Sequence, residues 1–157
     1  MVSRMTQQFF EDVEWGELDY LILDLPPGTG DIQLTLVQKL ALTGAVMVTT
    51  PQNLALLDVK KGADMFAKVN TPVLGVIENM THFLCPHCNE ASQIFPGTSG
   101  KEESKRLDVP LLGQIHLSPE IAQSSDDGTP YVLKYENSSI ANEYINIALQ
   151  LKELIEK

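Results

Sequence analysis

Two cysteines stand three positions apart in the run CPHC at residues 85–88, and they are the only cysteines of the 157-residue chain. Two thiolates at this spacing can bind one metal ion or one edge of a cluster, whereas zinc or an iron–sulfur cluster takes four ligands. His82, His87 and His116 could add nitrogen ligands, or a two-fold dimer could supply four sulfurs by symmetry. The pair therefore favours a metal or cluster shared between subunits, with a structural zinc as an alternative.

The same four residues also resemble a thiol oxidoreductase site. Such sites open a helix whose N-terminus stabilises the thiolate. Residues 89–97, NEASQIFPG, show no helical periodicity. The redox interpretation is therefore the weaker one, and the absence of further cysteines excludes a disulfide framework.

A second chemical motif is LILDLPPGTGD at residues 21–31. Asp24 ends a continuous apolar run that is typical of a strand buried on both faces. Gly28 and Gly30 would let a phosphate approach the backbone closely. A carboxylate buried at a strand end is costly unless it is paired or bound to a cation, so Asp24 could hold the waters around Mg²⁺. The alternative is a helix-capping loop with one structural aspartate.

Polar and apolar groups follow the ends of other predicted strands. Asn79 could read a base edge, because an amide both donates and accepts, although an asparagine there is also a common turn former. His116, Leu117 and Pro119 could form a slot for a base. The Thr-Pro-Gln run at 50–52 also lies at this ligand edge. A turn that leads from the strand into a helix capped by Asn53 explains the run at least as well as a ligand contact does.

Strand and helix patterns alternate along the chain, which predicts a parallel sheet with helices on both faces. In such sheets ligands bind beyond the carboxyl ends of the strands. Residues 80–97 lack periodicity and are predicted to form a loop insertion. Asp31 and Asn53 are predicted helix caps. The predicted strands are 20–25, 45–50, 73–79 and 111–115. The predicted helices are 2–14 (ended by Gly16), 31–40, one that begins at Asn53 and is broken by Thr71-Pro72, one near 98–107, a short one opened by Pro119, and a last one that carries Ile140 to Leu154. The helix after Asn53 has a predicted apolar face, which consists of Leu56, Val59, Ala63 and Phe66.

Composition narrows the class of protein. The chain is 43% hydrophobic and has a formal net charge of −10, which argues against a nucleic-acid partner, because that needs many cations. No apolar run reaches the roughly 18 residues of a membrane span, and the N-terminus lacks the apolar stretch of a secretory signal. We therefore expect no membrane association and a cytoplasmic location.

These motifs occur in the same order in the Mrp/ApbC family of iron–sulfur cluster carriers, ATPases related to MinD and ParA, which the chain resembles over nearly its whole length. The resemblance rests on DLPPGTGD at 24–31, TTPQ at 49–52, VIENM at 76–80, the CxxC at 85–88 and GTP at 128–130. It implies that Cys85 and Cys88 bridge a [4Fe–4S] cluster across a homodimer and that the cluster is delivered to apoproteins.

The resemblance also implies a nucleotide site for ATP and Mg²⁺. Asp24 would be the Walker B acid, and Pro27 and Gly28 would belong to the switch that senses the γ-phosphate. Asn79 and residues 116–119, which include His116, Leu117 and Pro119, would contact adenine.

One family feature is missing from the sequence. No G-x-x-x-x-G-K-[ST] run exists, and the only Gly-Lys pair, at 100–101, is followed by Glu102. We therefore expect residues 1–157 to be the rear portion of one P-loop NTPase domain that lacks its first strand and P-loop, and we expect no ATP hydrolysis by this chain alone. The alternatives are a non-catalytic regulatory relative or a MinD-like ATPase.

Overall fold

The computed structural model describes residues 8, 10, 12–25 and 30–156. Within them, helices and strands alternate along the chain. The helices are α1 (Asp31–Lys39), α2 (Asn53–Lys68), α3 (Ser99–Leu107), α4 (Pro119–Asp126), α5 (Tyr131–Lys134) and α6 (Ser139–Ile155). The strands are β1 (Ala45–Thr49), β2 (Val73–Glu78), β3 (Phe83–Leu84), β4 (Ala91–Ser92) and β5 (Leu111–Gln114).

Three of the strands form a parallel sheet in the order β1-β2-β5. Met47 lies opposite Val76, and Ile77 lies opposite Gly113. The α2 and α3 helices make the two crossovers that parallel neighbours require. The other two strands, β3 and β4, form a separate antiparallel hairpin between β2 and α3.

Helices cover both faces of the sheet, as the sequence predicts. Side chains of consecutive strand residues point to opposite faces. Met47 and Val76 join the core cluster with α1 and α2, whereas their neighbours Val46 and Ile77 pack against the cluster that contains Ile140 and Ile147 of α6. The predicted apolar face of α2 is confirmed, because all four of its residues are buried: Leu56, Val59, Ala63 and Phe66.

The predicted strand at residues 20–25 is not formed. Ile22 is 90% exposed, Asp24 is also exposed, and the Tyr20 hydroxyl donates to Glu156 at the end of α6 over 2.6 Å. A strand needs a neighbour to satisfy its backbone groups. Among the described residues β1 pairs with β2 alone, and no strand lies beside β1 that could also pair with residues 20–25. The prediction of a buried carboxylate at Asp24 is therefore wrong for this structure.

The predicted helix caps are also wrong by one residue. Gly30 and Gln52 occupy the N-cap positions of α1 and α2 with extended backbone angles, so that Asp31 and Asn53 are the first helical residues. Most of the predicted helix 2–14 lies outside the described residues. No helix in the described part of the chain is long and apolar enough to cross a membrane.

Candidate metal centre at the carboxyl edge of the sheet

The hairpin that carries the cysteines is anchored to the carboxyl ends of β2 and β5. The Thr81 amide donates to the Ile115 carbonyl over 3.1 Å, and the Leu117 amide donates to the His82 carbonyl over 2.7 Å. Phe83 forms a parallel bridge with Leu117. These contacts continue the pairing of the two strands beyond the sheet, so the hairpin stands at the edge where parallel sheets bind ligands.

Cys85 and Cys88 lie in the turn of this hairpin and form no disulfide. The Cys85 amide donates to the Glu90 carbonyl over 3.0 Å, and the Asn89 amide donates back to the Cys85 carbonyl over 2.8 Å. Asn89 adopts a positive φ of 57°, a conformation that asparagine tolerates better than most residues. The turn leaves Cys85 half-buried and Cys88 exposed.

The turn also favours the thiolate at Cys85. Its sulfur accepts hydrogen bonds from the backbone amides of His87 and Cys88 and from the Cys88 thiol, and these bonds lower the pKa of Cys85 below its ordinary value. Thiolate is the form of cysteine that binds metals and attacks electrophiles. No helix follows Cys88, because the chain enters β4 instead, and this geometry disfavours the oxidoreductase alternative.

The histidines do not complete a ligand set with the cysteines. Within the described residues, no group of three or more His, Cys, Asp or Glu side chains is arranged to hold a metal ion. His82 and His116 instead stack on each other with ring centroids 5.3 Å apart. Burial, and then the neighbouring His82, lowers the pKa of His116, which favours its neutral form. One chain therefore offers two sulfurs to a metal or cluster.

The residues that are predicted to contact the nucleotide lie at the same edge of the sheet. Some of their polar groups make hydrogen bonds within the chain. The Asn79 amide donates to the Thr49 carbonyl over 2.7 Å, and its side-chain oxygen accepts from the Met80 amide over 2.9 Å. The side chain of Asn79 is thus engaged by the backbone next to it in this structure, and its contact with adenine stays a prediction. In the 116–119 segment, Leu117 anchors the hairpin, and Pro119 is exposed as the first residue of α4.

The described residues do not by themselves fit a Mg²⁺–ATP complex. Asp24 is exposed and lies outside any strand, whereas a Walker B acid needs a held position. Pro27 and Gly28 lie outside the described residues. Binding of the nucleotide also requires backbone amides and a lysine that hold the phosphates. The sequence contains no P-loop motif that would supply them.

A buried acid that is not among the predicted site residues, Glu78, ends β2. Its side chain accepts from the Gly100 amide over 2.9 Å and from the Gln114 amide nitrogen over 2.6 Å, and the residue is 3% exposed. The signal was present, because an acid that ends the apolar run VLGVIE must be paired if it is buried. Asp24 also ends an apolar run, but it is exposed and has no strand around it.

A parallel sheet with helices on both faces and a ligand edge at its carboxyl end is the architecture of several α/β nucleotide-binding classes, and the P-loop NTPases are one of them. A nucleotide-binding protein from Archaeoglobus fulgidus, solved with ADP, has a similar structure, with a TM-score of 0.74 and 38% identity over 83% of this chain and 54% of that one. The family model for the NUBPL iron-transfer P-loop NTPases of the ParA group matches residues 1–152. The chain therefore belongs to this family.

Curated relatives carry names that agree with the family. The chain is 46% identical over 156 residues to an iron–sulfur cluster carrier protein from Aquifex aeolicus, which covers 99% of this chain and 43% of the relative. It is 43% identical over 151 residues to the iron–sulfur cluster transfer protein NUBPL from Mus musculus, covering 96% of this chain and 47% of the relative. The chain thus spans about half the length of the relatives that it matches.

Proposed function

We propose that this chain is the cluster-binding portion of an iron–sulfur carrier, in which two chains hold one [4Fe–4S] cluster between their hairpins. The exposed CxxC turn, with the pKa of Cys85 lowered by amide donors, is the observation that carries the proposal. The names of the relatives support iron–sulfur transfer as the general role.

The number of ligands favours a homodimer. A [4Fe–4S] cluster takes four thiolates, and the chain has two cysteines. A two-fold axis beside the hairpin would bring Cys85 and Cys88 of both chains to the same cluster. Because Cys88 is exposed and the turn belongs to a hairpin separate from the three-stranded sheet, two turns could approach each other without rearrangement of the core.

Delivery of the cluster to an acceptor would depend on the exposure of the CxxC turn. The cluster is cargo, and an acceptor apoprotein would displace the carrier sulfurs one at a time with its own thiolates. The exposed Cys88 is the sulfur that an acceptor would reach first, whereas Cys85 is partly buried and keeps amide donors. In the complete carrier we propose that ATP hydrolysis with Mg²⁺ drives this exchange in the cytoplasm, with Asp24 as the Walker B acid and Pro27 and Gly28 in the switch.

Anaerobic reconstitution with iron and sulfide tests the proposal. We expect one labile [4Fe–4S] cluster per dimer, measured by iron and sulfide content, visible absorbance and the mass of the loaded species. Cys85→Ser or Cys88→Ser removes two of four thiolates from the dimer, and each should abolish the cluster.

A matched control is His87→Ala, which changes the same turn without removing a sulfur and should leave the cluster content unchanged. A strictly monomeric protein that carried the cluster, or a cluster that survived both serine substitutions, would contradict the proposal. Stoichiometric zinc in place of iron after reconstitution would instead support the structural-zinc alternative.

A further inference from the structure

The buried carboxylate of Glu78 lies where three elements meet. It ends β2, accepts the Gly100 amide in the first turn of α3, and accepts the Gln114 side chain at the end of β5. Amides of a first helical turn have no partner within the helix, and a negative charge there is stabilised by the helix dipole. The carboxylate therefore joins the ends of both strands to the start of a helix.

Backbone packing holds this junction tightly. A Cβ atom built on Gly100 would come within 2.6 Å of the Glu78 Cβ, so only glycine lets α3 approach β2 this closely. The residue is 3% exposed, and a buried acid is retained only when donors satisfy it. Both of its oxygens have a donor, one from the helix and one from the neighbouring strand.

The segment that carries the cysteines begins and ends at this carboxylate. Glu78 immediately precedes residues 79–99, and Gly100 immediately follows them. The second contact of the carboxylate is with Gln114, the residue before Ile115. Residues 115–117 anchor the hairpin base through the Thr81 and His82 hydrogen bonds. One side chain thus holds both ends of the segment and the strand on which its base rests.

We propose that Glu78 is a positioning residue for the cysteine pair, holding the hairpin at one orientation so that the turns of two chains can meet around a cluster. The proposal rests on the cluster-binding role proposed above. Glu78 does not touch the sulfurs and acts through α3, β5 and the hairpin between them.

The test compares Glu78→Ala with Glu78→Gln in the full chain. The alanine variant leaves the Gly100 amide and the Gln114 side chain without their acceptor. Loss of hydrogen bonds to a charged group predicts that local opening becomes about tenfold or more frequent. We expect amide hydrogen exchange at 81–92 and 99–103 to accelerate by about that factor, while α2 keeps its protection.

Glutamine should rescue the defect, because it keeps an oxygen for the Gly100 amide and the Gln114 amide can turn to accept its new donor. In cluster-loaded dimers, iron release to a chelator should be about tenfold faster for Glu78→Ala and close to wild type for Glu78→Gln. Faster exchange confined to the hairpin together with faster iron release supports the positioning role.

Glu103→Ala is the matched control, since Glu103 is a fully buried acid on α3, the helix that Glu78 contacts, and its partner is Arg106. It should lower stability without selective exposure of residues 81–92. Equal behaviour of the two alanine variants, or a folded Glu78→Ala with wild-type exchange and iron release, would overturn the proposal.

If Glu78→Ala does not fold, Gln114→Ala tests the positioning role instead. This substitution removes the hydrogen bond between β5 and Glu78, and the fold should tolerate it because Gln114 is exposed. Faster exchange at 81–84 and 115–117 would support the proposal, and unchanged exchange there would overturn it. Wild-type protein that takes up no cluster would count against the proposed function alone, since hydrogen exchange reports on the hairpin of the apoprotein.

Discussion

At the scale of single residues, Cys85 owes its chemistry to the turn around it. Thiolate formation usually needs a nearby cation or a helix N-terminus. Here the backbone amides of His87 and Cys88 act as the donors, and they exist only when the turn is folded. The lowered pKa of Cys85, which favours the thiolate that binds metals, is therefore a property of the folded hairpin.

Titration of a single-thiol variant tests this dependence. In Cys88→Ala the two amide donors to Cys85 remain and only the weaker thiol donor is lost, so the pKa of Cys85 should stay below that of the unfolded chain. The measurement is thiolate ultraviolet absorbance against pH, in buffer and in concentrated urea.

The sign of the pH dependence follows from the lowered pKa. A folded-state pKa below the unfolded one adds stability that is present above the unfolded pKa and is lost as the pH falls through the folded pKa. Coincident titration curves in buffer and in urea would show that the turn does not stabilise the thiolate.

The comparison of Asp24 with Glu78 shows where residue-level prediction from sequence fails. Both acids end an apolar run, and both were open to the argument that a buried carboxylate must be paired. Burial decides which of them needs a partner, and burial depends on whether the strand has neighbours in the sheet. The cysteine pair, in contrast, was predictable, because the spacing of its two ligands is local.

At the scale of elements, the return of the hairpin to α3 depends on a close backbone contact. Gly97 has φ of +132°, and a Cβ atom there would lie 1.9 Å from the Pro51 carbonyl oxygen in the loop after β1. The side chain of Gln93 also donates to the Gly97 carbonyl over 3.2 Å. The hairpin is therefore held against the β1–α2 loop as well as against β5.

Gly97→Ala should lower the free energy of unfolding by about 2–3 kcal/mol, because it adds a clash with backbone to the strain of a positive φ. Urea unfolding followed by circular dichroism measures the change. Gly128→Ala is the matched control: its φ is +67° with nothing within 4 Å of the added carbon, so about 1 kcal/mol is expected. Equal losses in the free energy of unfolding of the two variants would show that the contact with Pro51 does not contribute to the effect of Gly97→Ala.

The long elements were predictable because their periodicity extends over several turns or a full strand. The strands β1, β2 and β5 lie within about one residue of their predicted bounds, and α2 lies between the predicted start at Asn53 and the predicted break at Thr71-Pro72. The hairpin strands β3 and β4 have two residues each, and the α5 helix has four, which is too short for a period to show. Strand pairing was the other failure, because residues 20–25 have the composition of a strand but no partner.

At the scale of the whole molecule, the described sheet ends at β1. Notably, direct pairing of residues 20–25 with β1 does not occur, although it would satisfy both backbones. The resemblance implies, for the complete family domain, a strand between these two segments that leads into the P-loop. The described residues form the parallel sheet and the CxxC turn, and we propose that a nucleotide site of the family type needs that further strand as well.

We therefore predict no tight Mg²⁺–ATP binding by the isolated chain. The amides and the lysine that hold phosphates are missing from its motifs, and Asp24 is exposed. Titration calorimetry on purified protein measures the affinity, with a P-loop relative that has an intact Walker A motif as the positive control. A Mg²⁺-dependent dissociation constant in the low micromolar range or below would refute this prediction.

The outer edge of β1 also affects how the protein behaves at high concentration. Its sequence AVMVT has no charge and no proline, Val48 is 56% exposed, and within the described part of the chain no strand covers that edge. Strands of this kind recruit further strands from other molecules and grow into stacked, insoluble assemblies. During overproduction the chain would then partition between folded protein and inclusion bodies, depending on whether this edge is first occupied by a native neighbour or by a strand of another molecule.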